Sequence, residues 1–177
     1  MAYHARPNKP NQYKQGYFAP QNVSKYISNL QQIVYRSSLE YKFCIYADKS
    51  DKVVRWGSEV ISIPYKNIEF DNYGNQKMVE RTYHVDFYME VKSLKDPDLI
   101  ERWVIEVKPD VEYQRVINGI PPEKPEKTTP KSLKNWEYAL KEYIKNKQKW
   151  TFAKEWCRQR GMFFFVFTEK TISTLFK

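Results

Sequence analysis

The chain has 177 residues, of which 41% are hydrophobic and 16% aromatic, with only 5 glycines. That suits a single domain with one packed core and excludes collagen-like and low-complexity chains. The balance of 30 Lys+Arg against 21 Asp+Glu, net charge +9, makes nucleic acid the leading partner class, ahead of an anionic membrane surface.

Residues 1–24 are polar, basic and punctuated by Pro7, Pro10 and Pro20. They read as an extended N-terminal arm, either solvated or laid along a phosphate backbone, ahead of a domain over 25–177. The arm has no apolar core for a signal peptide, and no stretch of the chain approaches the ~18 apolar residues of a membrane span. A membrane partner is therefore not expected. Residues 37–48 predict a helix, with Ser37 and Glu40 as a capping box and Leu39, Phe43, Tyr46 and Ala47 as its apolar stripe. Cys44 and Cys157 have no metal-ligand spacing and suit a reducing interior.

Residues 56–65 predict a strand that ends at Pro64, and residues 71–75 (DNYGN) a turn. Residues 82–91 alternate. Tyr83, Val85, Phe87, Met89 and Val91 are expected on one face, and His84, Asp86, Tyr88 and Glu90 on the other. After a turn at 95–98, residues 102–108 predict a third strand with Trp103, Ile105 and Val107 opposite Val104, Glu106 and Lys108. The proline-rich segment 119–131 reads as a stiff, exposed excursion. A helix is expected from Ser132 to about Arg160, capped by Gly161. The apolar run 162–167 reads as a buried central strand, and the tail as a last turn of helix. The order helix, three-strand meander, helix, strand predicts an α/β fold around one mixed sheet.

Asp86, Glu106 and Lys108 carry the expected chemistry. Glu106 and Lys108, two apart on a strand, leave the same face, and Asp86 lies on the polar face of the preceding strand. If the strands are neighbours, the three groups converge on one cation. Mg²⁺ is a hard cation that needs only one or two carboxylates beside a phosphate, and the backbone carbonyl of Val107 offers a further ligand. A lysine beside the metal can orient water and stabilise transition-state charge. The plain alternative is a surface charge pair. E-x-K also occurs at Glu40-Tyr41-Lys42 and Glu90-Val91-Lys92, without aligned strands. Glu40 has two readings, a helix cap or a fourth site residue. His84 reads as structural. Lys145, Lys147, Lys149, Arg158 and Arg160 are either phosphate contacts or a solvated helix face, with Lys149 the best candidate for the site.

The blocks PQNVSKY, YRSSLE, WGSEVISIPY, YHVDFY, VIEVKP and KWTFAKEWCRQRGMFFFVFTE, in order over most of residues 16–177, resemble the head completion nucleases of tailed phages related to the T-even group. That family is similar in turn to the transposon-end-cutting endonucleases, and both belong to the PD-(D/E)xK, restriction-endonuclease-like group. The resemblance implies Glu40, Asp86, Glu106 and Lys108 as the site, with Val85 standing where the signature has proline. It also implies a small protein associated with phage capsid or portal and neck proteins. Such a protein would act on double-stranded DNA after packaging, in the host cytoplasm during assembly or carried with the virion. The expected activity is Mg²⁺-dependent DNA cleavage, with Mn²⁺ substituting. The rivals are a non-catalytic DNA-end or portal binder, and a junction-resolving or transposon-type nuclease.

Overall fold

The computed structural model describes residues 15–70, 75–96 and 98–175. The first fourteen residues of the expected arm and most of the expected turn at 71–75 lie outside them. Residues 15–24, read above as arm, are packed on the domain. Gly16–Tyr17 (β1) pairs antiparallel with Val34–Tyr35 (β2), and the Phe18 ring meets Trp56 edge-on at 5.9 Å. Asp48, 1% exposed, anchors this segment: its carboxylate accepts the backbone N–H groups of Gln21 and Asn22, each at 2.9 Å.

Helix α1 spans Ser38–Lys49. Ser37 caps it as expected, its hydroxyl oxygen accepting the Glu40 N–H at 3.1 Å, and Phe43, Cys44 and Ala47 are buried. The expected strand over 56–65 is two strands, β3 (Val53–Ser58) and β4 (Ser62–Phe70), because the backbone breaks at Glu59, where φ is 53°. Pro64 does not end β4 but lies inside it, opposite Thr82 of β5 (Gln76–His84). The reason lies in the ladder. Val85 N–H donates to the Ile61 carbonyl, so the antiparallel alternation puts Pro64 and Thr82 at a non-hydrogen-bonded pair, where a residue without N–H loses nothing.

The run 82–91 is also broken, at Val85 and Asp86, into β5 and β6 (Phe87–Lys92). All five residues of the expected apolar face are buried, but not on one face. Tyr83 and Val85 pack with Ala153 and Cys157, whereas Phe87, Met89 and Val91 pack with Phe43, Cys44 and Ala47. The break moves the apolar set from one side of the main sheet to the other.

That sheet has the order β3-β6-β7-β8, with β7 at Ile100–Val107 and β8 at Phe163–Phe167. The expected meander exists as β3, β6 and β7, antiparallel, with the β4–β5 hairpin inserted into it. The β7–β8 pairing is parallel, which makes the sheet mixed. β8 is not central. It stands at the sheet edge with β7 as its one partner among the described strands, and Phe163 is 51% exposed.

A helix that the sequence pattern did not suggest, α2 (Asp110–Ile117), follows β7 directly. Segment 119–131 is less free than expected, since the Pro122 carbonyl accepts the Trp136 indole N–H at 3.0 Å. Helix α3 (Pro130–Arg158) begins two residues before Ser132, with Thr129 as N-cap and Pro130 in the first turn. Gly161, φ 62°, ends it in the left-handed conformation. A short α4 (Glu169–Leu175) buries Ile172 beside α1 residues. The architecture is a mixed α/β sandwich, with α1 and α4 on one side of the sheet and α3 with the hairpin on the other. No helix of the described residues is long and apolar enough to cross a membrane.

Removing the Asp48 carboxylate strands two backbone donors. Asp48→Ala is expected to cost about 2 kcal/mol in urea unfolding and to open residues 15–24 to limited proteolysis.

Candidate active site

The site forms where the β5–β6 break meets the end of β7. The last β6–β7 pair is Phe87 with Ile105, so the Val107 N–H lies one step beyond the regular ladder. The Asp86 carboxylate takes that place and accepts the Val107 N–H at 2.7 Å. The Glu59 N–H donates to the Asp86 carbonyl at 3.0 Å and holds the same break from β3. Asp86 is thus pinned between two strands, against the residue that separates Glu106 from Lys108.

Glu106 is 2% exposed. Its Oε2 accepts the Tyr83 hydroxyl at 2.5 Å, and its Oε1 lies 3.1 Å from Lys108 Nζ. Burial raises the Asp86 carboxyl well above the usual carboxylate range, and the neighbouring Glu106 charge adds to it; Lys108 and the Val107 N–H offset only part of this. Burial by itself would lower the Lys108 ammonium, but the Glu106 and Asp86 carboxylates outweigh it and hold the lysine firmly charged. Tyr83 is kept protonated by burial and by the Glu106 charge. Two neighbouring carboxylates whose charge the nearby donors offset only in part form a donor set suited to a cation.

The expected convergence of Asp86, Glu106 and Lys108 is therefore present in the fold. Val107 belongs to the same cluster through its N–H. Among the described residues no group of three or more His, Cys, Asp or Glu side chains is arranged to hold a metal, so Asp86 and Glu106 stand as a pair. A hard cation that keeps several waters needs no more than this. Glu40 makes capping contacts: Oε1 accepts the Ser37 hydroxyl at 3.0 Å and Oε2 the Arg36 N–H at 2.7 Å. Its charge still reaches Asp86 and contributes to the raised carboxyl.

Of the helix cations, Lys149 is at the site. Its Nζ lies 4.5 Å from the centre of the Tyr83 ring, and its ammonium is lowered by burial, then opposed by the pull of Glu106. Lys145 is paired with Glu142, and its charge is felt at Lys149. Lys147 is exposed. Arg158 pairs with Glu155 at 2.7 Å, nine residues and roughly 14 Å of helix beyond Lys149. Arg160 folds back over the Trp156 ring. His84 shares a 2.8 Å hydrogen bond with Ser62 on the exposed side of the hairpin.

Sequence reasoning missed Tyr83, Arg36, Glu59 and Asn146. The alternation places Tyr83 on the apolar face, where a tyrosine must still place its hydroxyl, and the buried partner is Glu106. Asn146, 3% exposed, lines a 320 Å³ cavity with Lys108, Glu112, Arg115 and Tyr143.

A mixed sheet with two acidic residues and a lysine gathered at a strand break defines a restriction-endonuclease-like protein. The family described as TnsA-like endonuclease N terminal matches residues 50–169, a span that holds Asp86, Glu106, Lys108 and Lys149, and the chain belongs to that family. It is also 31% identical over 160 residues to the head completion nuclease of Enterobacteria phage T4, covering 90% of this chain and 94% of that protein.

Tyr83→Phe keeps the ring and removes the hydroxyl that satisfies buried Glu106. The loss is expected to lower stability by about 1.5–3 kcal/mol in chemical denaturation, the range for a hydrogen bond to a charged group.

Proposed function

We propose that this protein is a divalent-metal-dependent DNA endonuclease that acts in phage head completion after DNA packaging. The observation that carries the reading is half-buried Asp86, bonded to the Val107 N–H, beside buried Glu106, with Lys108 Nζ 3.1 Å from Glu106. Its place in head completion rests on the likeness to the T4 protein, whose name states that role. The corresponding setting is the host cytoplasm during assembly, or the virion, with double-stranded DNA as substrate and capsid or portal proteins as neighbours.

Asp86 and Glu106 would hold Mg²⁺, or Mn²⁺ in its place, with the Val107 carbonyl as a further ligand. Bound there, the cation supplies charge stabilisation on the phosphoryl oxygens and lowers the pKa of a water. The remaining work belongs to the chain. The Val107 N–H fixes one Asp86 oxygen and leaves the other for the cleft. Tyr83 fixes Glu106 by its Oε2. Lys108, held charged by both carboxylates, orients the attacking water and stabilises charge on the phosphate. Lys149 adds a second cation behind Tyr83, and Lys145, one turn earlier, continues that side of α3, whereas Lys147 and Arg158 lie about half a turn round the helix and would meet phosphates only away from the site. Glu40, through its charge, biases the orientation of the cation or its water.

Plasmid and blunt linear DNA should be nicked or cut by the purified protein with Mg²⁺ or Mn²⁺ and left intact with chelator. Asp86→Ala and Lys108→Ala should each reduce cleavage by at least ~10²-fold, the loss typical of removing a group that stabilises developing charge. Salt-sensitive binding without cleavage under any divalent metal would instead mark a DNA-end or portal binder. A strong preference for four-way junctions would mark a junction-resolving enzyme.

A further inference from the structure

The mechanism above makes no use of Arg36 and Glu59, yet both are tied to its residues. Arg36 immediately precedes the cap of α1 and donates its backbone N–H to Glu40. Its guanidinium is ion-paired with Glu59, and the two side chains are 55% and 44% exposed, so solvent and ligands can reach them. The arginine charge is stabilised first by Glu59 and further by Glu40 and Asp86, which sets the guanidinium within electrostatic reach of two site carboxylates. Glu59 in turn gives its backbone N–H to the Asp86 carbonyl.

Glu59 is also the one described residue other than glycine with positive φ, at 53°. Glycine would take that conformation without steric cost. A non-glycine residue held there beside an active site points to a role for its side chain. Stability alone does not supply that role, because an exposed ion pair contributes little. A guanidinium donates to a carboxylate and to a phosphate alike, and here Arg36 Nη1 donates to Glu59 Oε1. An anionic side chain at the mouth of a site for an anionic polymer has the sign expected of a stand-in for the ligand.

We propose that Arg36 is a DNA-phosphate-binding site at the rim of the Asp86–Glu106 cleft, and that Glu59 occupies it in the free protein until a backbone phosphate takes its place. This rests on the reading of the protein as a DNA nuclease. The exchange is easy because the outgoing pair is weak and solvated, and Glu59 turns into water. The incoming phosphate is then held beside Asp86 by a residue whose backbone is locked to the first turn of α1.

The test is a double-mutant cycle on DNA affinity, read by anisotropy of a fluorescein-labelled blunt duplex in chelator so that turnover plays no part. Glu59→Gln should tighten binding about two- to five-fold, the range of a released surface pair. Arg36→Gln should weaken binding and lower the salt slope by about one. In the Arg36→Gln background Glu59→Gln should give no gain. Glu90→Gln is the charge-matched control, since it frees Arg55 from a similar pair remote from the cleft, and should give no comparable gain. A gain that persists without Arg36, or appears equally in Glu90→Gln, overturns the proposal, as does a wild type that binds no DNA. Absence of cleavage by a wild type that binds and follows the cycle would sink the nuclease reading alone.

Discussion

Holding a half-buried carboxylate, Asp86, beside a fully buried one, Glu106, is costly, and the fold is organised around making that tolerable. Each anion removed from water must find donors or shed its charge. Here Asp86 takes a backbone N–H that the strand ladder has released, and Glu106 takes a tyrosine hydroxyl and a lysine. These contacts satisfy the geometry more fully than the charge, because the Asp86 carboxyl remains raised. That residual demand for positive charge is the ground on which the proposed cation would bind there.

The same constraint explains the irregular backbone. A continuous strand through Asp86 would have paired with β7 and used the Val107 N–H in the ladder. The break at Val85–Asp86 releases that donor and lets the preceding apolar residues cross to the α3 side. It also lets β4 and β5 leave the main sheet as a hairpin, with Tyr83 aimed back at Glu106. Local irregularity at 59 and at 85–86 is therefore one feature seen from two strands, joined by the Glu59–Asp86 backbone hydrogen bond.

Much of this was legible in the sequence. Ser37 and the apolar stripe of α1, the opposite faces of β7, and the shared face of Glu106 and Lys108 follow from local periodicity, and the fold follows from their order. What could not be read are the places where tertiary contacts override the period. Alternation in 82–91 is a local signal, and nothing within those ten residues records that a donor on β7 will bend the chain. Pro64 ends a strand by its chemistry alone, and only the pairing phase with Thr82 shows why it does not. The aromatic run 163–167 has the composition of a buried strand but stands at an edge. Helix α2 is short, buries none of its residues and leaves Val111 and Ile117 exposed, so it offers no apolar core face to read, and it follows a proline that ends β7. Among the basic residues of α3, sequence placed Lys149 in the lead without the Tyr83 ring that locates it.

The edge position of β8 changes what the basic composition means. Phe163 and Phe164 line a surface recess with Lys154 and Arg158, and Arg102 reaches across to the Arg160 carbonyl at 2.6 Å nearby. An aromatic strand with an open side is a template for unwanted pairing between copies, and flanking cations keep such copies apart. Cations beside such an edge thus have a use that needs no polyanion. Neutralising the cations beside this edge would weaken that protection without touching the contacts of Asp86.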